Sequence, residues 1–107
     1  MEPLTPAVFH ILLALSEGER HGYAIMQVVA EDSGGVVKMG PGTLYGTLKR
    51  LLEAGLVEEA GEHPDLALSA ERRRYYRITS GGREAVRTEA RRLQSAVRTA
   101  RARGALA

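Results

Sequence analysis

Met39-Gly40-Pro41-Gly42-Thr43-Leu44-Tyr45-Gly46-Thr47-Leu48-Lys49-Arg50-Leu51-Leu52-Glu53-Ala54-Gly55-Leu56-Val57-Glu58 decides the fold. Its spacing predicts one helix over 41–54. Pro41 suits the first helical turn, where a missing N–H costs nothing. Gly55 can end the helix in the left-handed conformation, with Leu56 folding back on Leu51 as in a Schellman cap. Leu44, Leu48, Leu51 and Leu52 share one side at helical spacing, which commits that side to a core. The other side carries Gly42, Thr43, Gly46, Lys49, Arg50 and Glu53, with Tyr45 on the flank. Two glycines in the first exposed turns weaken a helix. A surface that must approach another molecule closely explains them, and the pattern points to a DNA-recognition helix.

Working outward, Thr5-Pro6 reads as the N-cap and first position of an earlier helix. Val8, Ile11, Leu12 and Leu15 give it a buried face, and Gly18 stops it. His21-Gly22 leads into a second short helix with Ile25, Val28 and Val29 inside, ended by Ser33-Gly34-Gly35. Two short helices running into a third outline a helix-turn-helix. Past Gly55 the period changes to alternation. Leu56–Ala60 reads as a strand, Gly61-Glu62-His63-Pro64-Asp65 as a turn-rich loop reaching towards Glu71, and Arg73–Thr79 as a returning strand with Tyr76 and Ile78 on one face. This hairpin is a wing. Thr79 or Ser80 caps a last helix of about 20 residues, some 30 Å long. Along it Val86, Ala90, Leu93, Val97 and Ala100 step by four, three, four, three, a coiled-coil seam. The seam is too thin and alanine-rich to hold a helix alone in water, so a partner subunit is expected to cover it. The expected fold is therefore mainly α with a small β component (α+β): a winged helix-turn-helix of three helices and a two-stranded wing over 1–79, then a dimerisation helix over 80–107.

Composition narrows the function classes. The chain has 107 residues and no cysteine, which removes disulfides, thiolate metal sites and a cysteine nucleophile. Its longest apolar run, Ile11–Leu15, is far too short to span a bilayer, and Met1-Glu2-Pro3 lacks the basic start of a secretion signal. An intact cytoplasmic protein is the expectation. Net charge is only +2 but unevenly spread. Residues 1–70 hold four bases against ten acids, a net of −6; residues 71–107 hold eleven arginines against three acids, a net of +8. Such asymmetry suits an anionic partner or complementarity between two copies of the chain, although a merely solvated arginine-rich helix gives the same count.

These segments, taken in order, resemble the PadR-like family of transcriptional regulators over nearly the whole chain. The Ile11–Leu15 run with His21-Gly22-Tyr23-Ala24-Ile25 is similar to that family's first two helices. Gly42-Thr43-Leu44-Tyr45 through Lys49-Arg50-Leu51 and Ala54-Gly55-Leu56-Val57 resembles its recognition helix. Arg73-Arg74-Tyr75-Tyr76-Arg77-Ile78-Thr79, then Gly82-Arg83, resembles its second wing strand and last helix. The resemblance implies a cytoplasmic homodimer, usually a repressor, on a palindromic operator, and the single last helix places the chain with the family's short branch. Members often carry proline at the place of Gly46 and glutamate at that of Leu52. This chain has no tryptophan, so the resemblance gives no ground for a flat aromatic ligand; a small-molecule effector is left unassigned.

The expected DNA contacts are Thr43, Tyr45, Gly46 and Lys49 in the groove, since hydroxyls and an ammonium meet phosphates or base edges while glycine admits the backbone. The amides after Gly40-Pro41-Gly42 could hold a phosphate, with Lys38 adding charge. Arg72, Arg73 and Arg74 would grip phosphates from the wing; against that stands pairing with Glu58, Glu59, Glu62 and Glu71 in the same hairpin. Of Tyr75 and Tyr76, which alternate, one is expected in the core, and Tyr23 is a further phosphate candidate that packing could equally claim. His10, His21 and His63 lie on different elements without matching carboxylates, so no metal, cofactor or catalytic site is expected. The rival reading is a winged-helix protein-interaction adaptor. A membrane-surface role for the last helix is disfavoured by its thin apolar seam.

Overall fold

The computed structural model describes residues 3–64 and 72–107. Its elements are α1 (Pro6–Leu15), β1 (Arg20–His21), α2 (Gly22–Asp32), α3 (Pro41–Glu53), β2 (Val57–Pro64), β3 (Arg72–Ile78) and α4 (Ser80–Ala102). The order is that of a winged helix followed by a long helix. Of the expected loop, which begins at Gly61 and reaches towards Glu71, residues 65–71 lie outside the described residues.

Helix ends follow the capping chemistry of the sequence. The Thr5 hydroxyl accepts the Val8 N–H, with Pro6 behind it in the first turn. His21 caps α2 through Nδ1, which accepts the Ala24 N–H at 3.2 Å. At the end of α3 the Leu56 N–H donates to the Leu51 carbonyl and the Gly55 N–H to that of Leu52. Gly55 has φ +76°, the left-handed conformation that a Schellman cap demands. At the end of α1 the Ser16 and Gly18 amides donate to the Leu13 and Leu15 carbonyls, and Arg20 Nε donates to the Ala14 oxygen at 2.9 Å.

Ile11, Leu12, Leu15, Ile25, Val29, Leu44, Leu48 and Val57 form a core almost sealed from solvent, closed on the sheet side by Tyr76 and Ile78. Leu52, on the same stripe of α3, is partly buried against it. Burial comes first, then the Glu59 carboxylate, in pushing the Tyr76 phenol above its ordinary value; Tyr45 adds to that push and Arg74 opposes it.

The sheet differs from the expected two-stranded wing. It has three strands in the order β1-β3-β2, because Arg20 and His21 pair antiparallel with Tyr76 and Tyr75 of β3. The wing is also longer than the alternation implied: pairing runs from Val57↔Ile78 out to Pro64↔Arg72. A register shift between Glu59 and Gly61, where Gly61 has φ +96°, lets an edge strand pass through what reads as turn sequence.

α4 starts inside the body and leaves it. Thr79 joins the two parts: its hydroxyl donates to the Gly55 carbonyl at 2.6 Å and accepts the Gly82 N–H at 3.0 Å. Gly82 is buried against Leu56 so closely that a Cβ would meet the Ile78 side chain at 2.6 Å and the Leu56 carbonyl carbon at 3.2 Å. Further along, the buried Glu89 carboxylate accepts the Leu4 N–H at 3.3 Å and ties α4 to the chain start. From Ala90 onward α4 is exposed almost throughout, which gives the molecule its 55 Å length.

Gly82→Ala should therefore destabilise the fold by about 1–3 kcal/mol through overpacking against a backbone that cannot yield. The neighbouring Gly81→Ala, whose nearest atom is at an ordinary 3.4 Å, should be neutral or mildly stabilising. Urea unfolding midpoints of the two variants check the contrast.

Candidate nucleic-acid interface

α3 carries the two faces its sequence announced. Leu44, Leu48 and Leu51 are buried, while Pro41, Gly42, Thr43, Gly46, Lys49, Arg50 and Glu53 are exposed. Thr47, not assigned to the core from the sequence, is buried as well: its hydroxyl donates to the Thr43 carbonyl at 2.8 Å and accepts from Arg50 Nη2 at 3.2 Å. Arg50 is thus drawn back along the helix, whereas no ion pair engages Lys49 among the described residues.

The glycines on this face have no internal explanation. A Cβ added at Gly42 or Gly46 would meet nothing within 4 Å, and neither residue has the positive φ that excludes other side chains. Chain packing would accept alanine at either position. The start of α3 is open too. α1, α2 and α4 have side-chain caps from Thr5, His21 and Thr79, but Gly40 at the N-cap of α3 supplies none. The amides of the first turn, at the positive end of the helix dipole, are left without a side-chain acceptor. Exposed Lys38 precedes them, in a linker ordered by the Ser33 hydroxyl accepting the Val37 N–H at 2.9 Å.

Tyr45 behaves differently from its neighbours. The residue is 48 % exposed, but the end of the ring lies against the backbone of Gly22 at the first turn of α2. Tyr23, beside Gly22, is 58 % exposed. His21 stacks edge-on against Tyr75, centroids 5.4 Å apart, and so joins the α2 cap to the sheet.

On the wing the alternative of carboxylate pairing is seen at Arg74, one of the three expected phosphate contacts, and at Arg77. Arg74 lies 3.6 Å from Glu59, and Arg77 Nε donates to Glu58 at 2.8 Å. All four side chains are about half exposed or more, so each pair contributes little to stability and exchanges readily for another anion. Arg72 and Arg73 take part in the β3 ladder opposite Pro64 and His63. The seam residues of α4 divide: Val86 packs at the edge of the chain's own core, whereas Ala90, Leu93 and Val97 are exposed, Leu93 by 45 % and Val97 by 41 %. Ala100 is partly covered. No group of His, Asp or Glu able to hold a metal occurs among the described residues, and no helix there is long and apolar enough to cross a membrane.

Helix-turn-helix, β-wing and a bare, glycine-bearing third helix define a winged-helix protein of the DNA-binding regulator type. The sequence model of the transcriptional regulator PadR-like family matches residues 11–88, from α1 into α4. The chain belongs to that family. Among solved structures it is similar to a transcriptional regulator from Clostridium thermocellum (TM-score 0.69, 26 % identity, 87 % of this chain and 84 % of that one). A PadR family transcription regulator from hypervirulent Clostridium difficile has the same fold (TM-score 0.74, 20 % identity, 91 % and 96 % covered). So does Bacillus subtilis PadR, solved in complex with operator DNA (TM-score 0.67, 22 % identity, 81 % and 46 % covered). An uncharacterized 37.1 kDa protein in transposon TN4556 of Streptomyces fradiae is 39 % identical over 80 residues; the match spans 75 % of this chain but only 21 % of that protein.

Gly46→Ala, with open space around the new methyl group, should stabilise the fold by roughly 0.5–1 kcal/mol through helix propensity alone. A higher urea midpoint for this variant is the expected outcome. A lower one would mean that glycine at 46 serves the fold.

Proposed function

We propose that the chain is a homodimeric, sequence-specific DNA-binding protein, acting as a repressor on a palindromic operator. The observation that carries this reading is the outer face of α3: exposed Gly42, Thr43, Gly46 and Lys49 beside an uncapped helix start, with glycines that nothing inside the chain requires. Thr43 and Lys49 would meet base edges or phosphates while Gly42 and Gly46 let the helix backbone close on the groove. Pro41 and Lys38 bring the first-turn amides to a phosphate. Arg72, Arg73 and Arg74 would hold the flanking backbone, Arg74 exchanging its Glu59 partner for phosphate. The operator complex of Bacillus subtilis PadR, a protein of the same fold, supports DNA as the ligand class.

A single copy offers few cations on α3, so two copies acting together would supply the affinity. The exposed 90–100 segment of α4 would pair them through Ala90, Leu93, Val97 and Ala100, with Val86 at its inner end. The arginine-rich tail, net +8 over 71–107, would lie against the acidic body of the other subunit, net −6 over 1–70. Residues 1–79 then serve as the DNA-binding unit and 80–107 as the pairing helix, in a protein working in the cytoplasm without a cofactor.

Two experiments test this. Duplexes selected from random double-stranded DNA should bind the full chain with affinity that falls linearly in log–log salt, and Lys49→Ala should reduce that slope by about one phosphate equivalent. Gly46→Ala should weaken the same complex while stabilising the protein. If selection enriches no duplex and an acidic or basic protein co-purifies instead, the interaction-adaptor reading, favoured by the carboxylates of the wing, takes over. Separately, Leu93→Asp combined with Val97→Asp should turn a sedimentation mass of two chains into one and weaken operator binding steeply. An unchanged mass would remove α4 as the pairing element.

A further inference from the structure

Gly22 and Tyr45 stand 23 residues apart, yet each accounts for the other. A Cβ at Gly22 would stand 2.7 Å from Cζ and 3.1 Å from Cε1 of the Tyr45 ring, and closer still to its hydroxyl oxygen. A real Cβ does not approach a ring that closely, and the ring atoms concerned are part of a rigid plane. Gly22 is buried and has no positive φ, so neither solvent exposure nor backbone conformation accounts for its lack of a side chain. What remains is space for the ring. The contact is also a junction. Gly22 is the first residue of α2, capped by His21, whose ring meets Tyr75 of β3; Tyr45 in turn perturbs the phenol of Tyr76 on the same strand. The Tyr45 ring thus joins α3 to the start of α2, and the His21 cap of that helix joins it to β3.

We infer that Tyr45 is a positioning residue, whose ring, seated in the notch left by Gly22, sets the angle of α3 against α2 and the wing and so determines specificity. This rests on the DNA-binding reading of α3 and revises one part of it: the ring supports the contact face instead of reading bases through its hydroxyl. The groove contacts then fall to Thr43, Gly46 and Lys49, whose side chains or backbone are free on the same helix.

The full chain carrying Gly22→Ala, Tyr45→Ala, both together, or Tyr45→Phe tests it in two arms. In urea unfolding, Gly22→Ala should lower the midpoint when Tyr45 is present and raise it or leave it unchanged when residue 45 is already alanine, because the clash is gone and helix propensity favours alanine. Equal cost in both backgrounds overturns the seat. In binding, the probes are the tightest duplex recovered from random double-stranded DNA and an unselected duplex of equal length. Tyr45→Phe should keep specific affinity within about twofold, while Gly22→Ala and Tyr45→Ala should lose about tenfold of it and leave unselected-duplex affinity nearly unchanged. A phenylalanine variant as weak as the alanine one means that the hydroxyl reads DNA, and the positioning role fails. So does a loss shared equally by both duplexes, the mark of simple destabilisation. If selection enriches nothing, the DNA reading and the role in specificity fall together, while the unfolding arm still decides whether the ring needs the glycine.

Discussion

Everything in this small protein passes through the close approach of Gly82 to Leu56. There the last turn of α3, the first residues of β2 and the first turn of α4 occupy one spot, and a missing side chain makes that possible. Thr79 completes the joint, donating to the carbonyl of Gly55 and accepting from the amide of Gly82. The recognition-type helix and the long helix therefore share a fixed pivot of backbone atoms instead of a flexible linker. Glu89, buried and bonded to the Leu4 amide, restrains α4 a second time about two turns later. Two restraints hold the inner half of α4 to the body, and the outer half from Ala90 onward stands away from it.

Charge is arranged around the same architecture. On α4, Arg83, Arg87, Arg91, Arg98 and Arg101 recur at intervals of three, four and seven, so they fall along one stripe, to the side of the Leu93 and Val97 seam. Arg87 pairs with Glu84 at 2.7 Å, and Arg83 reaches the Ser16 carbonyl at the end of α1. On the wing Arg74 and Arg77 face carboxylates from β2, Glu59 and Glu58. Because those pairs are exposed, they neutralise the hairpin without holding it rigidly, and a phosphate could displace the carboxylate at small cost. An acidic residue beside such a cation lowers indiscriminate attraction to anions.

Much of this was legible in the sequence because it depends on local chemistry. The Gly55–Leu56 cap, the Thr5 and Thr79 caps, the leucine stripe of α3 and the burial of Tyr76 and Ile78 each follow from spacing or from a preference of one or two residues. What escaped depends on distant partners. Arg20 and His21 are too short a segment to show alternation, and they become a strand only because β3 offers Tyr76 and Tyr75. Gly61 and Pro64 read as turn punctuation, yet an edge strand tolerates a proline and absorbs an extra residue as a bulge. Thr47 belongs to neither face by residue type, but its hydroxyl is satisfied within the helix and it goes into the core. Gly22 looks like a helix-start signal, and its partner is Tyr45.

The glycines divide on one physical criterion, the space around each. Gly22 and Gly82 touch atoms that leave no room for a methyl group, so the fold accounts for them. Gly42 and Gly46 touch nothing, take no unusual backbone angle and stand in a helix whose leucine face must offset their poor propensity. A residue that weakens its own element and is not required by any internal contact is explained by something outside the chain. For Gly42 and Gly46 the outside object must come close to the helix backbone along about one turn, on the face that also presents Thr43 and Lys49. A surface of that shape and chemistry fits the floor of a nucleic-acid groove better than it fits solvent, where alanine would serve the helix more stably.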